Sequence, residues 1–396
     1  MFNWIGQTLA VTALNLRTIP QRLGSSGVAI VGIAGVVIVL VSVLSIAAGF
    51  TAAMQNSGSP SRAIVMRSGA DSEMTSGLSG AEVDVIKQAP RLRRDGQTPV
   101  ASAELYVIID IPKISTNTPA NVPMRGVQQT AMAVRNEASI IEGRMFEFGT
   151  NEIVVGRGAS GQFAGLTVGN EFKSGQDTWK VVGIFETDGG VSETEIWCDS
   201  RVLQGAYRRG NSYQTVLAQL DSSDSFNTFR DWLTSNPQVN VQVRREADYY
   251  AQQSRALSGL IQGVGFGIAA LMGIGAVFGA ILTMYTAVST RSREIATLRA
   301  LGFNATSVVV SVLAESLALA AIGGALGGVT AYLAFNGYQT STMNFSTFSQ
   351  VAFAFQVTPQ LLVMGLIYAL AMGLIGGLFP AVRAARLPIP TALREL

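Results

Sequence analysis

The sequence predicts a membrane protein in which a four-span α-helical bundle carries a two-lobed α+β domain outside the membrane. The chain of 396 residues is 48% hydrophobic and only 14% charged, with a mean hydropathy of +0.34. It is too apolar for an ordinary soluble protein. Four long apolar runs occur, and the segment between the first two, about 200 residues, is long enough to bury a core of its own.

Each apolar run is long enough to cross a bilayer, because a helical span needs about 20 apolar residues. We therefore predict the following order along the chain. It is an amphipathic N-terminal helix (1–25), span 1 (26–52), an outer domain (53–256, with a β-rich lobe at about 113–212), span 2 (257–287), a charged helix (288–304), span 3 (305–335), an outer loop (336–358), span 4 (359–382) and a tail (383–396).

The arginines predict the orientation of the spans. Residues 1–26 carry arginines and no acid, the 288–304 and 383–396 segments are arginine-rich, and 336–358 carries no charge. Since basic loops stay in the cytoplasm, both termini and the charged helix are expected there. The N-terminal helix is expected to lie along that membrane surface, with one apolar face. That face contains Trp4, Ile5, Leu9, Ala13 and Leu16.

Two β-α-β patterns are predicted in the outer domain. In the first, Ser79 and Glu82 have the spacing of a capping box at the start of a helix. In the second, Phe226, Phe229 and Leu233 share one helix face. The β-rich lobe contains a hairpin turn at 174–177. Trp197 and Cys198 are expected to be packing residues.

Composition argues against most catalytic classes. The chain has no histidine and one cysteine, so histidine-ligated metals, nucleophile–histidine hydrolases and disulfides are not expected. No lysine follows a glycine as a nucleotide-binding P-loop requires. The acidic cluster of Glu186, Asp188, Glu193 and Glu195 is interpreted as a solvated loop rather than a cation site, since it lacks EF-hand spacing.

Small and acidic residues inside the spans predict close helix packing. Glycines four residues apart allow helix backbones to approach in lipid, within the chain or between two copies. These pairs are Gly263/Gly267, Gly275/Gly279, Gly323/Gly327, Gly324/Gly328 and Gly373/Gly377. Glu315 lies well inside span 3. We favour an interhelical anchor for it, and a polar transport path is the alternative.

The segment Thr290–Phe303, "TRSREIATLRALGF", predicts a short charged helix followed by a tight turn. Gly302 is suited to the left-handed position that ends a helix, Phe303 can fold back on Leu298, and Asn304 can cap the next helix. Arg291 and Arg293 are expected to face the cytoplasm, and Ile295 and Leu298 to form an apolar ridge. A positive-inside anchor would explain the arginines alone. A docking helix also explains the ridge and the ordered cap.

The segment Arg293–Gly328 resembles the hallmark region of FtsX/MacB-like ABC transporter permeases. The stretches Glu142–Phe172 and Trp179–Trp197 are similar to the periplasmic core domain of that family, and the ending "PIPTALREL" also fits. The resemblance implies that 290–302 is a coupling helix, with Arg293, Glu294, Leu298 and Gly302 on the family pattern and Glu315 at its acidic span-3 position. The full set of candidate coupling residues is Arg291, Arg293, Glu294, Ile295, Leu298, Arg299 and Gly302.

The resemblance further implies a homodimer in the bacterial inner membrane with a cytoplasmic ABC ATPase beneath it. MacB carries its nucleotide-binding domain fused at the N-terminus, whereas about 25 residues precede the first span here. The ATPase, with its ATP and magnesium, is therefore expected on a separate chain, and no cofactor is expected in this one. The implied role is efflux of small amphiphiles or peptides with a periplasmic adaptor and an outer-membrane channel.

Alternatives of two kinds stay open. Within the family, the permease could release lipoproteins or regulate a cell-wall hydrolase. A sensory receptor with an external ligand domain is the alternative from another class, although the cytoplasmic segments contain no output domain. The spans of this chain lack the Ser/His or Asp residues that an intramembrane protease requires. A secondary transporter would show more spans or an inverted repeat.

Overall fold

The computed structural model describes residues 2–17 and 23–389, which divide into two compact units. The helical unit contains Met1–Ala48, Leu260–Tyr338 and Gln356–Leu396, and the α/β unit contains Gly49–Gly259 and Gln339–Phe355. Residues 18–22 of the predicted N-terminal segment (1–25) lie outside the described residues. So do the side chains of Trp4 and Leu16 and most of the "PIPTALREL" tail.

The described residues form eleven α-helices. They are α1 (Phe2–Arg17), α2 (Leu23–Asn56), α3 (Gly80–Lys87), α4 (Ala131–Val134), α5 (Arg157–Gln162), α6 (Ser200–Ala206), α7 (Phe226–Ser235), α8 (Glu246–Ser289), α9 (Ser292–Ala300), α10 (Ala305–Phe335) and α11 (Pro359–Ala385). Among them α2, α8, α10 and α11 are long and apolar enough to cross a membrane. The prediction of four spans is confirmed.

The core of the helical unit lies between α2, α10 and α11. Ile33, Val37 and Val41 of α2 pack with Ala320 of α10 and Ala369 of α11. One buried hydrogen bond links two of these helices, since the Ser316 hydroxyl donates to the carbonyl of Gly373 at 2.6 Å. A second apolar cluster joins the ends of α8, α10 and α11 to α9.

The α/β unit contains all sixteen described strands, and the last two of them form a separate hairpin. The strands are β1 (Arg62–Arg67), β2 (Leu78–Ser79), β3 (Arg94–Asp95), β4 (Thr98–Pro99), β5 (Ala101–Pro112), β6 (Pro119–Val127), β7 (Ser139–Gly143), β8 (Glu152–Gly156), β9 (Glu171–Ser174), β10 (Asp177–Glu186), β11 (Ile196–Asp199), β12 (Ser212–Tyr213), β13 (Thr215–Gln219), β14 (Val241–Arg245), β15 (Gln339–Asn344) and β16 (Ser349–Ala354).

The main sheet is continuous through both lobes, in the order β14-β1-β13-β5-β6-β11-β8-β10-β7. The two predicted β-α-β units interleave in the first lobe, because β13 lies between β1 and β5 while β1 lies between β13 and β14. This arrangement is a split β-α-β, or ferredoxin-like, motif. Strand β5 serves both lobes: Ala101 and Ala103 lie in the first core, and Leu105 and Val107 lie in the second. The second lobe therefore begins inside β5, earlier than the predicted residue 113.

Several local predictions for this unit are confirmed. Ser79 and Glu82 form a reciprocal capping box at the start of α3. Phe226, Phe229 and Leu233 of α7 are buried together in the first core. Strands β9 and β10 pair through Ser174 and Asp177, and Gly175 takes the positive φ of +65° that this two-residue turn requires.

The predicted outer loop at 336–358 contains an ordered hairpin, β15–β16. Its Ser349 hydroxyl accepts from the hydroxyl of Tyr106 at 3.1 Å, and the backbone N–H of Ala352 donates to Thr194 at 2.7 Å. Phe345 and Phe348 at the hairpin tip remain exposed. The uncharged segment is thus part of the α/β unit rather than a free loop.

Candidate functional site

The charged helix α9 begins and ends as its sequence predicts. Gly302 has a φ of +96°, and the N–H of Phe303 donates to the carbonyl of Leu298 at 3.1 Å. Asn304 then caps α10 through the N–H of Thr306. Because the helix end, the turn and the next helix start are each hydrogen-bonded, α9 is held at a defined angle to α10.

One face of α9 is exposed and carries charges. Arg293, Glu294 and Thr297 are exposed, and Leu301 at the helix end is 73% exposed. Arg299 is partly buried, and its guanidinium donates to the carbonyl of Leu387 at 2.8 Å. A partner could therefore reach a surface of both signs of charge with one large apolar side chain at its edge.

Ile295 and Leu298 do not form the exposed apolar ridge that was predicted for a docking partner. Ile295 is only 8% exposed and packs with Met284, Val308 and Val312 inside the helical unit, and Leu298 is only half-buried. The apolar side of a short amphipathic helix anchors it to its own bundle, so it does not face a partner. Leu301 is the exposed apolar residue that the sequence reasoning missed. An apolar residue directly before a helix-ending glycine was the available signal.

Arg291 was predicted to face the cytoplasm, but its side chain is buried. It is 5% exposed, and its Nη1 lies 3.3 Å from the carboxylate of Glu315 and 3.0 Å from the Oδ1 of Asn15. Glu315 itself is 4% exposed. Burying either charge alone would be costly, so the two are stable only as a pair. This geometry favours the anchor interpretation of Glu315.

The polar side of helix α1 packs beside the Arg291–Glu315 pair. The Thr8 hydroxyl donates to Ser307 at 3.1 Å, and the Asn15 amide donates to Ser311, both in α10. Ile5, Leu9 and Ala13 of the predicted apolar face are exposed. The helix therefore packs on α10 through hydrogen bonds and presents its apolar side outward, as a helix at a membrane surface does.

The glycine pairs separate into two groups. In α10 and α11, a side chain at Gly323, Gly327, Gly373 or Gly377 would collide with a neighbouring helix, at 2.4 Å from the Ala320 Cβ for Gly373. Gly324 likewise lies close to Ala369, and Gly328 contacts Leu362. These glycines permit the close packing that was predicted.

The two predicted glycine pairs of α8 do not pack against the described residues. A Cβ at Gly263, Gly267, Gly275 or Gly279 would meet nothing within 4 Å. The α8 contacts are made instead by Gly265 against Val43 and by Gly273 against Tyr368. Packing between two copies stays a prediction for the exposed set.

A buried ionic network in the α/β unit was missed by the sequence reasoning. The guanidinium of Arg125 contacts Glu73, Glu104 and Glu195 at 2.7–2.8 Å, and Arg135 is paired with Glu104. Nearby, Arg62 bridges Glu137 and Glu246, the first residue of α8. The only available signal was a charged residue within the predicted strands, as with Glu104 in "SAELYVI".

The arginines favour the ionised form of Glu104 in this network. Although burial acts to raise the pKa of Glu104, Arg135 and Arg125 together lower that pKa from 4.5 to about 2. Burial raises the pKa of Glu246, despite its contact with Arg62. Arg125 keeps a raised pKa because Glu195, Glu73 and Glu104 outweigh its desolvation. Paired buried charges of this kind fix relative positions more than they add stability.

The acidic cluster at 186–195 is not a solvated loop throughout. Glu193 is buried and accepts from the N–H groups of Thr187 and Gly189 at 3.0 and 2.7 Å. Glu195 is buried against Arg125, and Glu186 pairs with Arg157. The carboxylates of Glu186, Glu193 and Glu195 therefore accept hydrogen bonds from backbone N–H groups or pair with arginines. Among the described residues no group of three or more His, Cys, Asp or Glu side chains is placed to hold a metal ion.

Trp197 and Cys198 are fully buried packing residues. Trp197 stacks on Phe185 with ring centroids 4.0 Å apart, and its indole N–H donates to Glu195 at 2.7 Å. Burial raises the pKa of the Cys198 thiol well above its usual value. A buried thiol of this kind is unreactive.

Two family models match the chain and together cover most of it. Residues 26–236 match the MacB-like periplasmic core domain, and residues 266–389 match the FtsX-like permease C-terminal domain. The first match alone covers more than half of the chain. No curated protein matches the chain.

Solved structures of related domains are also similar to this chain. The extracellular domain of the noncanonic ABC-type transporter YknZ from Gram-positive bacteria is 15% identical, covers 46% of this chain and 99% of its own, and has a TM-score of 0.35. The periplasmic region of MacB from Actinobacillus actinomycetemcomitans is 9% identical, covers 50% of this chain and 94% of its own, and has a TM-score of 0.38.

The four apolar helices, the inserted α/β unit and the two family models define a membrane permease of the ABC transporter class. The chain belongs to the MacB/FtsX-like family of ABC transporter permeases. It is a membrane protein with an extracellular domain, and its family implies an ABC ATPase as a partner. The family is one of transmembrane subunits, and neither matching model is a catalytic domain.

Proposed function

We propose that this permease receives ATP-driven motion at α9 and transmits it to the extracytoplasmic α/β unit. The ATPase is a separate chain that holds the ATP and the magnesium, and this chain catalyses no reaction. The observation that carries the proposal is the two-sided character of α9. Its outer face is charged and exposed, while Ile295, Ala296 and Arg291 fix its inner face to the bundle.

Such a helix can bias a two-state equilibrium. A partner that contacts Arg293, Glu294 and Leu301 differently in its ATP-bound and ATP-free states shifts the position of α9. Arg291 and Glu315 connect that movement to α10, and close glycine packing connects α10 to α11. Stiff, closely packed helices are suited to transmitting a displacement.

The assembly that fits this role is a homodimer in the bacterial inner membrane with both termini in the cytoplasm. The substrates are small amphiphiles or peptides, exported with a periplasmic adaptor and an outer-membrane channel. Lipoprotein release and regulation of a cell-wall hydrolase remain alternatives within the family. Membership of the permease family favours all of these over a sensory receptor.

The test is affinity purification of the full chain in mild detergent, with mass spectrometry of the bound proteins and an ATP-hydrolysis assay. The variant Arg293→Glu with Leu301→Asp changes only exposed α9 side chains. We expect a P-loop ATPase to copurify with the wild type and with the control Arg201→Glu, an exposed arginine of the α/β unit, and to be lost from the α9 variant. Equal recovery with all three chains would overturn docking at α9.

A further inference from the structure

The helical unit contains a cavity of about 520 Å³ beside α9. It lies within the roughly 300–1,000 Å³ typical of small-molecule sites. Its walls come from α1, α8, α9 and α10, and most of the lining side chains are apolar, such as Leu14, Met284, Leu298 and Val312. The cavity borders the exposed charged face that the ATPase is proposed to contact, because Glu294 and Thr297 belong to both.

The few polar groups in the cavity set the head-group chemistry of a ligand. Among the residues that the structure describes, the charged ones in the lining are Glu294 and Glu315, both acidic, and Arg291. Arg291 is already paired with Glu315. The lining therefore has an excess of negative charge, and an anionic head group would be repelled by Glu294.

We propose that this cavity binds the apolar chain of a single-tailed amphiphile with a cationic or uncharged head group, taken up from the surrounding lipid leaflet. A mostly apolar pocket with a few convergent polar groups is the usual form of a site for such a ligand. The apolar chain of such a molecule partitions into the bilayer, and α1, which forms one wall, presents Ile5 and Leu9 outward. Binding itself depends on neither the ATPase nor ATP.

The occupied cavity would also hold α9. The ligand would contact Ile295 and Leu298 of α9 and Val308 and Val312 of α10 at once. A ligand between two elements that move relative to each other stabilises the arrangement in which they enclose it. The amphiphile would therefore act as a modulator at the membrane end of the coupling helix.

The experiment uses the full chain in phosphatidylcholine nanodiscs and hexadecylamine carrying a photoreactive diazirine in its chain. After irradiation, the labelled peptides are mapped by mass spectrometry. We expect saturable labelling of the peptides around Leu298 and Val312, competed by unlabelled hexadecylamine. The exposed residues Leu271 and Leu282 of α8 should label without saturation and provide the lipid background.

Two variants fill the cavity and one control does not. Val312→Trp and the milder Ala287→Phe each enlarge a lining residue, and at least one of them should fold with a melting temperature near that of the wild type. We expect saturable labelling to fall at least fivefold in each folded variant. It should be unchanged in Leu271→Trp, which enlarges an exposed residue of α8.

Two results would overturn the proposal. Labelling near Leu298 that does not saturate, or that survives in a folded cavity-filling variant, would show that no site exists. Hexadecyl sulfate, whose head group is permanently anionic, would contradict the assignment of the head group if it competed as well as hexadecylamine. Since no ATPase is present in this experiment, neither result bears on the docking of α9.

Discussion

Both units of this permease bury arginine–glutamate contacts, and the described contacts differ in length and in surroundings. In the α/β unit, Arg125 contacts three carboxylates, and Arg135 makes a further pair with Glu104. In the helical unit, one nitrogen of Arg291 is shared between Glu315 and Asn15, at 3.3 and 3.0 Å. The Arg125 contacts are short and buried, whereas the described Arg291–Glu315 contact is longer and borders a cavity.

The difference indicates which part is rigid and which can adjust. Removing one contact from the Arg125 network leaves others in place, so the two lobes around β5 and β6 remain in register. The Arg291 contacts join three segments, α1, the α8–α9 turn and α10, through a single guanidinium. A displacement of α9 changes those contacts directly. The proposed flow of motion therefore starts at the adjustable site and ends in the rigid domain.

The largest effect is expected from Arg125→Met. It leaves Glu73, Glu104 and Glu195 buried with a lost partner, and breaking a buried pair costs about 3–5 kcal/mol. We expect the α/β unit to unfold at a clearly lower temperature, measured by tryptophan fluorescence of the full chain in detergent. The matched control is Arg144→Met, since Arg144 makes an exposed pair with Glu152 and such pairs contribute about 0–1 kcal/mol. Equal losses for the two variants would contradict the role of the network.

An intermediate effect is expected from Glu315→Gln. The change removes the carboxylate from the buried Arg291–Glu315 contact, and interhelical polar contacts in membranes contribute about 1–2 kcal/mol. We expect lower thermal stability in detergent. The double change Glu315→Leu with Arg291→Met should recover most of it, because both members of the buried pair are replaced by apolar side chains.

This pair of variants also separates stability from coupling. If the Arg291–Glu315 contact transmits motion, the double variant should regain thermal stability. It should not regain the ATP-driven motion of the α/β unit. A double variant that is as unstable as Glu315→Gln would show that Arg291 and Glu315 are not partners.

The smallest effect is expected from pH. The folded pKa of Glu104 is about 2, below its usual 4.5, so the stability it contributes is fully present above pH 4.5 and is lost as pH falls toward 2. Glu246, whose pKa is raised by burial, acts in the opposite direction. The fluorescence melting temperature of the wild type should fall across this window. Glu104→Gln should be less stable at neutral pH and less sensitive to acid, and an unchanged acid profile in that variant would contradict the shift.

Local features of this fold were predictable from the sequence, and long-range ones were not. Gly302, Phe303 and Asn304 define a turn because the required residue types are adjacent. Arg291 and Glu315 are 24 residues apart, and no short-range pattern shows that the arginine turns inward. The Arg125 network draws on residues 73, 104 and 195, which only the sheet topology brings together.

The glycines show the same limit. The pair Gly263/Gly267 and the pair Gly323/Gly327 have identical spacing, yet only the second lies against neighbouring helices. Glycines four residues apart predict that another helix can approach closely, but they do not predict which helix does so. The apolar face of α9 was misassigned for a similar reason, since amphipathicity does not reveal whether the apolar side meets the bundle or a partner.

The most direct test is a distance measurement across the proposed dimer by electron paramagnetic resonance. Cys198 is buried, so a spin label at Arg201→Cys reports on the α/β unit, with Cys198→Ala as the background. With the ATPase bound, adding ATP and vanadate should shift the distance between the labels of the two copies. The same label combined with Arg293→Glu and Leu301→Asp should show no shift. A distance that never responds to ATP, or that responds equally in the α9 variant, would contradict transmission through this helix.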